Sequence, residues 1–229
     1  MHATHSAPQK VLVLGATGGT GRATLETLLR RGHTVTGFSR RASALGPSTA
    51  QLRLVDGDAT DPAAVEAAVA GHDAVIVTLG ITENPLRVRV FGAKRTADDV
   101  RSAGTRNVIA AMRKHGVRRL VVQTSYGVGE TRTRLRWIDR LFFDLLLAPQ
   151  IADTEVQELE VRDSDVDWVL AQPVHLIDAD DRATHGALPH ASAEGEVRAW
   201  KIARSSVAQF LVRAVEVPDW VGRSVALSG

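Results

Sequence analysis

Apolar residues along this chain follow two alternating periods. Val11, Leu12, Val13 and Leu14 form an unbroken apolar run that ends at Gly15, as a strand buried on both faces of a parallel sheet should read. Ala23, Leu25, Leu28 and Leu29 then recur at helical spacing. They predict a helix that begins near Gly19 or Thr20 and stops near Arg31-Gly32. The alternation continues to the end of the chain. Strands are predicted at 34–39 (TVTGFS), 52–55 (LRLV), 74–79 (AVIVTL), 119–124 (RLVVQT), 168–171 (WVLA) and 224–227 (SVAL). Helical stretches lie between them at 62–70, 95–114, 154–162 and 203–215. Asp61 before Pro62 reads as an N-cap with proline at the first helical position. His115-Gly116 reads as a helical stop, and Ser205 or Ser206 as the cap of the last helix. Strands that alternate with helices in this way predict an α/β fold, a doubly wound parallel sheet of order 3-2-1-4-5-6 with a seventh strand at the edge.

A length of 229 residues suits one domain over 10–229, after a disordered tail at 1–9. Residues 81–93, with Pro85 and little periodicity, read as a loop over the site. A small helical cap is expected at about 130–150, where Arg132, Arg134, Arg136 and Arg140 surround Trp137, Ile138, Leu141, Phe142, Leu145 and Leu146. A membrane-surface segment is the other reading of that stretch. Asp139 and Asp144 interrupt its positive face and favour the cap.

Candidate chemistry gathers at the carboxyl ends of the predicted strands. Gly15, Gly18 and Gly21 stand between the first strand and the first helix. In that place they allow a sharp turn, backbone approach to a pyrophosphate, and close packing of helix on strand. The amides of the turn, with Thr17, Gly19 and Thr20, then face the anion at the positive end of the helix. The second strand ends in Ser39-Arg40-Arg41 with no acid. An acid there would take the ribose hydroxyl of NAD, whereas arginine offers a fork to the 2′-phosphate, so NADP(H) is the expected cofactor. Asp58 and Ala59 follow the third strand, with Asp58 a candidate for the adenine amine, and Leu79 and Gly80 close the fourth beneath the ribose and nicotinamide. The fifth strand delivers Thr124 to the cofactor, and Ser125 and Tyr126 to the carboxyl edge that open sheets use for chemistry, where with His175 they are the catalytic candidates. Ser125 either hydrogen-bonds a substrate carbonyl or the nicotinamide amide, or caps the next turn. The sixth leads to Pro173 and His175, a histidine that either faces substrate or is structural. His33, His72 and His115 fall at helix-to-strand turns and read as structural. Asp178, Asp180, Asp181, His185 and His190 form a polar stretch whose spacing fits no closed metal pattern.

Charge and cysteine content change this picture little. Lys+Arg total 28 against Asp+Glu 26, a balance that gives no reason to expect nucleic acid. No apolar run is long enough for a bilayer. Cysteine is absent, so disulfides report no compartment, and residues 1–9 lack the pattern of a secretory signal, which makes the cytoplasm the expected location.

With GATGGTG at 15–21, GFSRRAS at 37–43, VDGDATD at 55–61, VIVTLG at 75–80, GTRNVIAAMRKHGVRRLVVQTS at 104–125 and QPVHLID at 172–178, the chain resembles the atypical short-chain dehydrogenases/reductases of the NmrA-like, NAD(P)-binding kind. Within that group it is most similar to the flavin reductase / biliverdin-IXβ reductase family. The resemblance implies a monomeric enzyme that transfers hydride from NADPH to a flavin or a related planar acceptor, a quinone or tetrapyrrole among them. It also implies roles: Arg40 at the 2′-phosphate, Ser125 near nicotinamide and substrate, and His175 lining the substrate pocket. A second family histidine, in the helix starting near Asp153 and Thr154, has no counterpart here. The Tyr-x-x-x-Lys dyad of ordinary short-chain dehydrogenases is also absent. Tyr126 is the one tyrosine, and Glu130 stands four residues on. Ketone chemistry by that dyad is therefore disfavoured, while flavin reduction needs no such dyad because solvent can supply the second proton. NmrA-like folds that sense NADP(H) without turnover are the competing class. Isomerase or epimerase chemistry is a third, for which no acid/base pair is evident.

Overall fold

The computed structural model describes residues 7–80, 99–134, 148–178 and 188–229. The predicted loop at 81–93, most of the predicted cap, Asp180, Asp181 and His185 lie outside the described residues.

Ten strands and five α-helices are described: β1 Lys10–Leu14, α1 Gly19–Arg30, β2 Thr34–Ser39, β3 Leu52–Asp56, α2 Pro62–Val69, β4 Ala74–Val77, α3 Val100–His115, β5 Arg119–Gln123, α4 Ala148–Arg162, β6 Asp167–Pro173, β7 His175–Ile177, β8 His190–Ser192, β9 Lys201–Ala203, α5 Arg204–Glu216 and β10 Arg223–Ser228. Short 3₁₀ turns lie at Ala42–Leu45 and Gly129–Arg134. The main sheet runs β3-β2-β1-β4-β5-β6-β10-β8, which contains the predicted order 3-2-1-4-5-6. The seventh strand, β10, stands beside β6 as parallel neighbour, but it is not the edge. The antiparallel β8 covers it, with Ala226 opposite Ser192. At three residues, His-Ala-Ser, β8 is too short to carry a period, and it falls in a stretch that otherwise reads as polar loop.

Alternate residues of each strand feed two cores, as a pleat requires. Val11, Val13, Ile76, Val121 and Val169 join Leu25 and Leu28 of α1 with Phe210 and Leu211 of α5 on one face. Leu12, Leu14, Val75, Leu120, Val122 and Leu170 join Val65 of α2, Val108 and Met112 of α3 and Val161 of α4 on the other. Helices cover both faces, so all the parallel strands point their carboxyl ends to one crevice.

The helix ends follow local chemistry. Asp61 accepts the amides of Ala63 and Ala64, with Pro62 behind it, as expected. Gly116 closes α3 in the left-handed conformation. The predicted serine cap of the last helix is corrected: α5 starts at Arg204 on Ala203, with no side-chain cap. The short strand β9 runs straight into it, and the geometry of that junction, invisible in the local sequence, moves the start ahead of both serines.

The three turn histidines are structural. His33 Nδ1 accepts from the Gln9 amide at 3.1 Å, and its Nε2 lies 3.2 Å from Glu216, which also pairs with Arg31. His72 Nε2 lies 2.9 Å from the Thr36 hydroxyl, and burial pushes its pKa down. His115 lies 3.8 Å from Glu66.

Candidate functional site

The turn from β1 into α1 is built by close approach. Gly15 has φ +84, and a Cβ there would sit 2.6 Å from the Thr78 carbonyl oxygen. Thr78, just past the end of β4, donates its hydroxyl to the Leu14 carbonyl at 2.9 Å and so fixes the crossing of the two strand ends. A Cβ on Gly21 would penetrate the Gly15 carbonyl, which is how α1 comes to lie against the turn. Gly18 is the N-cap of α1 and makes no side-chain cap, and the first turn holds no acid. Gly18 donates its own amide to the Gly15 carbonyl at 3.0 Å, while the amides of Gly19 and Thr20, which with Thr17 edge the turn, are left to an anion.

At the end of β2, Arg40 and Arg41 are exposed. The Ser39 hydroxyl beside them is buried and has no hydrogen-bond partner among the described residues. A buried, unanswered hydroxyl is uncommon and costly, and here it lies at the strand end where a dinucleotide's adenosine sits. The next turn is anchored by Asp56, which the sequence reading passed over. Asp56 accepts the Ser43 amide at 2.8 Å and the Ser43 hydroxyl at 2.7 Å, and these bonds hold its pKa below the usual value. Asp58 accepts the Thr60 amide at 2.9 Å and hydroxyl at 2.8 Å, so its carboxyl is held ionised to lower pH, helped by the nearby Arg40. Ala59 is buried, and its carbonyl accepts from the Asn107 amide group at 3.0 Å.

Leu79 and Gly80 follow β4. At Gly80 a Cβ would lie 3.4 Å from Arg101 Nη2. Burial pushes the Arg101 pKa down, and its Nε is buried without a partner among the described residues. Arg101 is a cation at the crevice that spacing could not reveal, because only the packing of α3 brings position 101 back to position 80. Asp153, almost fully buried, accepts the Arg101 and Ser102 amides at 3.0 and 3.1 Å and sets that packing.

The end of β5 brings three expected residues together and gives them different surroundings. Ser125 is half-buried, and among the described residues its hydroxyl reaches only the Tyr126 carbonyl at 3.3 Å. Thr124 is buried with its hydroxyl on Glu158 at 2.6 Å. Glu158 has no solvent exposure, and it also takes Gln172 at 2.8 Å and Arg162 at 2.8 Å. This network lies under the carboxyl ends of β5 and β6, and sequence reading gave no sign of it. Tyr126 is buried, donates its hydroxyl to the Gly195 carbonyl at 3.2 Å and meets Trp200 edge-on at 5.8 Å. Burial pushes its pKa up, and its hydroxyl is committed to the fold. Pro173 is buried at the end of β6 and accepts the Tyr126 amide at 3.0 Å. His175 opens β7 and is exposed; it stands opposite Lys201.

The crevice thus joins an uncapped glycine turn, an orphaned hydroxyl beside two arginines, and a polar ledge at β5. Those groups fit a dinucleotide: backbone donors for a diphosphate, a buried hydroxyl with cations for the adenosine end, and Ser125 at the far end. Comparison with known proteins agrees. A family model described as NAD(P)H-binding matches residues 15–218. A 2-alkyl-3-oxoalkanoate reductase from Stenotrophomonas maltophilia is 37% identical over 128 residues, 54% of this chain and 36% of that protein. The chain spans roughly a third of the length of the curated relatives it matches. Among solved structures, a short-chain dehydrogenase/reductase from Veillonella parvula in complex with NADP superposes with TM-score 0.76 at 14% identity, covering 96% of this chain and 94% of that one. The anaerobillin reductase ChuY from Escherichia coli O157:H7 superposes with TM-score 0.70 at 22% identity, covering 96% of each. No helix among the described residues is long and apolar enough to cross a membrane. With the glycine turn, the strand order and a match over nearly its whole length in accord, the chain belongs to the NAD(P)H-binding family of Rossmann-like proteins.

Proposed function

We propose that this protein is an NADPH-dependent reductase that acts on a flavin or a similar planar conjugated acceptor. The observation that carries the cofactor choice is the end of β2, where a buried hydroxyl without a partner among the described residues stands beside Arg40 and Arg41 and Ser39-Arg40-Arg41 holds no acid for a ribose hydroxyl. Arg40 takes the 2′-phosphate through its planar fork. The amides of Gly19 and Thr20 hold the diphosphate, with Gly18 giving it room to approach, Asp58 stands at the adenine, and Leu79 and Gly80 flank the ribose on the nicotinamide side. NADPH, when bound, supplies a hydride to the acceptor. The chain contributes proximity and orientation: Ser125 hydrogen-bonds the nicotinamide amide or the acceptor, and His175, exposed at the start of β7 just past β6, borders the acceptor. We assign Tyr126 to holding the segment around Gly195 and Trp200 against the sheet, since its hydroxyl is already given to a backbone carbonyl. Ketone reduction by a tyrosine–lysine pair has no support here, which favours an acceptor whose second proton comes from solvent. ChuY, an anaerobillin reductase on the same fold, supports a planar acceptor by analogy of fold.

The test is NADPH consumption by the purified protein with a panel of flavins, quinones and a linear tetrapyrrole, with NADH run in parallel. Saturable turnover with NADPH well above NADH is the expected result. Tight NADPH binding with no turnover on any acceptor would overturn the enzyme reading in favour of a redox sensor.

A further inference from the structure

Beyond the glycine turn itself, a second element reaches the start of α1. The two-stranded sheet of β7 and β9 is parallel, with His175 beside Lys201 and Ile177 beside Ala203. The next residue on each strand is Asp178 and Arg204, and their side chains pair at 2.5 Å. This small sheet therefore delivers an acid and an arginine together to the carboxyl edge. The stem of Arg204 lies on Gly19, the first residue of α1: a Cβ there would stand 2.6 Å from the arginine Cδ and 2.9 Å from Nε.

That placement is electrostatically awkward as it stands. The N-terminus of α1 is uncapped and positive, and a guanidinium beside it is disfavoured. Arg204 also opens α5, a second helix with no side-chain cap and no acid in its first turn. The positive start of α1 and the Arg204 guanidinium thus meet at Gly19. The acid that answers Arg204 is Asp178, whose side chain is 88% exposed, and an ion pair with so exposed a partner is weakly held. An anion seated on the Gly19 and Thr20 amides would answer the helix end and the guanidinium at once, and a diphosphate suits the arginine's bidentate fork.

We propose that Arg204 is a cationic ligand for the diphosphate of the dinucleotide, supplied to the glycine turn from the C-terminal part of the chain, and that Asp178 holds it in reserve beside the turn. The proposal rests on the reading that a dinucleotide binds this turn. On binding, the guanidinium passes from the carboxylate to the diphosphate. No bond is made or broken, and the swap exchanges a weak exposed pair for a charge-assisted one. Because the diphosphate is common to both nicotinamide cofactors, Arg204 strengthens NADPH and NADH equally, unlike Arg40.

Calorimetric titration of NADPH and of NADH into wild type, Arg204→Gln, Arg204→Lys, Asp178→Asn and the Arg204→Gln/Asp178→Asn double variant tests it. Arg204→Gln is expected to raise both dissociation constants by the same factor, about tenfold, and Arg204→Lys by less, because it keeps the charge without the fork. Asp178→Asn is expected to tighten both about twofold, and to have no effect once Arg204 is gone. Equal affinities for wild type and Arg204→Gln would overturn the assignment, and so would a loss confined to NADPH, which would place Arg204 at the 2′-phosphate. Tightening by Asp178→Asn that persists without Arg204 would overturn the reserve role, since Asp178 would then act through its own charge. Wild type that binds neither nucleotide would instead refute the dinucleotide reading. If Arg204→Gln melts well below wild type, Arg204→Lys decides: affinities equal to wild type then count against the arginine's fork.

Discussion

Arg40 and Tyr126 show how differently two residues at strand ends are used. Arg40 is exposed at the end of β2, beside the Ser39 hydroxyl, which has no partner among the described residues. Arg40→Asp should weaken NADPH about tenfold or more, the scale of one charge-assisted contact, while NADH keeps its affinity because the new acid can take the ribose hydroxyl. Fluorescence titration of both nucleotides checks this, and equal losses for the two would sink the assignment. Tyr126 is buried, with its hydroxyl on Gly195. Tyr126→Phe should therefore lower stability by about 1 kcal/mol and leave kcat on a flavin within twofold. A collapse of kcat with an unchanged melting temperature would return the hydroxyl to the chemistry.

Elements at the adenosine end owe their shape to short acid-to-backbone bonds. The turn after β3 is held by Asp58, whose carboxyl is kept below its ordinary value of 3.8 first by the Thr60 amide, then by the Thr60 hydroxyl. A depressed carboxyl stabilises the folded turn above its ordinary value and loses that contribution as pH falls through the lowered one. The Thr60 amide resonance should accordingly stay fixed from pH 7 to about pH 5 and move only below the ordinary carboxylate range. A midpoint at or above 3.8, the ordinary value, would show that Asp58 titrates without help from Thr60. Asp56 holds the Ala42–Leu45 turn through Ser43 in the same manner, so both turns that flank Arg40 keep their form across the range in which a dinucleotide would be assayed.

At the scale of the molecule, the two cores leave room for a buried polar cluster between sheet and helix: Glu158 with Thr124, Gln172 and Arg162, the last also reaching Ser224 at 3.0 Å. Glu158 is wholly buried and Arg162 is 20% exposed. Glu158→Gln should cost about 2–3 kcal/mol in a urea titration, at or below the low end for breaking a buried pair because Arg162 keeps some water. A loss under 0.5 kcal/mol would mean the charge is not needed there. Glu158 and Arg162 stand four residues apart on α4, but nothing in the sequence joins that pair to Thr124, just past β5, or to Gln172 on β6. The same holds for Arg101 at Gly80, for the edge strand β8 and for Arg204 on Gly19: each depends on which elements lie side by side. The chain's own pattern did determine the alternation of strand and helix, the order 3-2-1-4-5-6, the glycine turn and the basic end of β2. Those follow from local causes: the period of burial, the steric needs of a tight turn, and the charge at a strand end. Only the tertiary structure decided which buried polar groups answer one another and which cation reaches the cradle from afar. Hydrogen bonds and ion pairs act over a few ångströms in space, and that distance bears no fixed relation to separation along the chain.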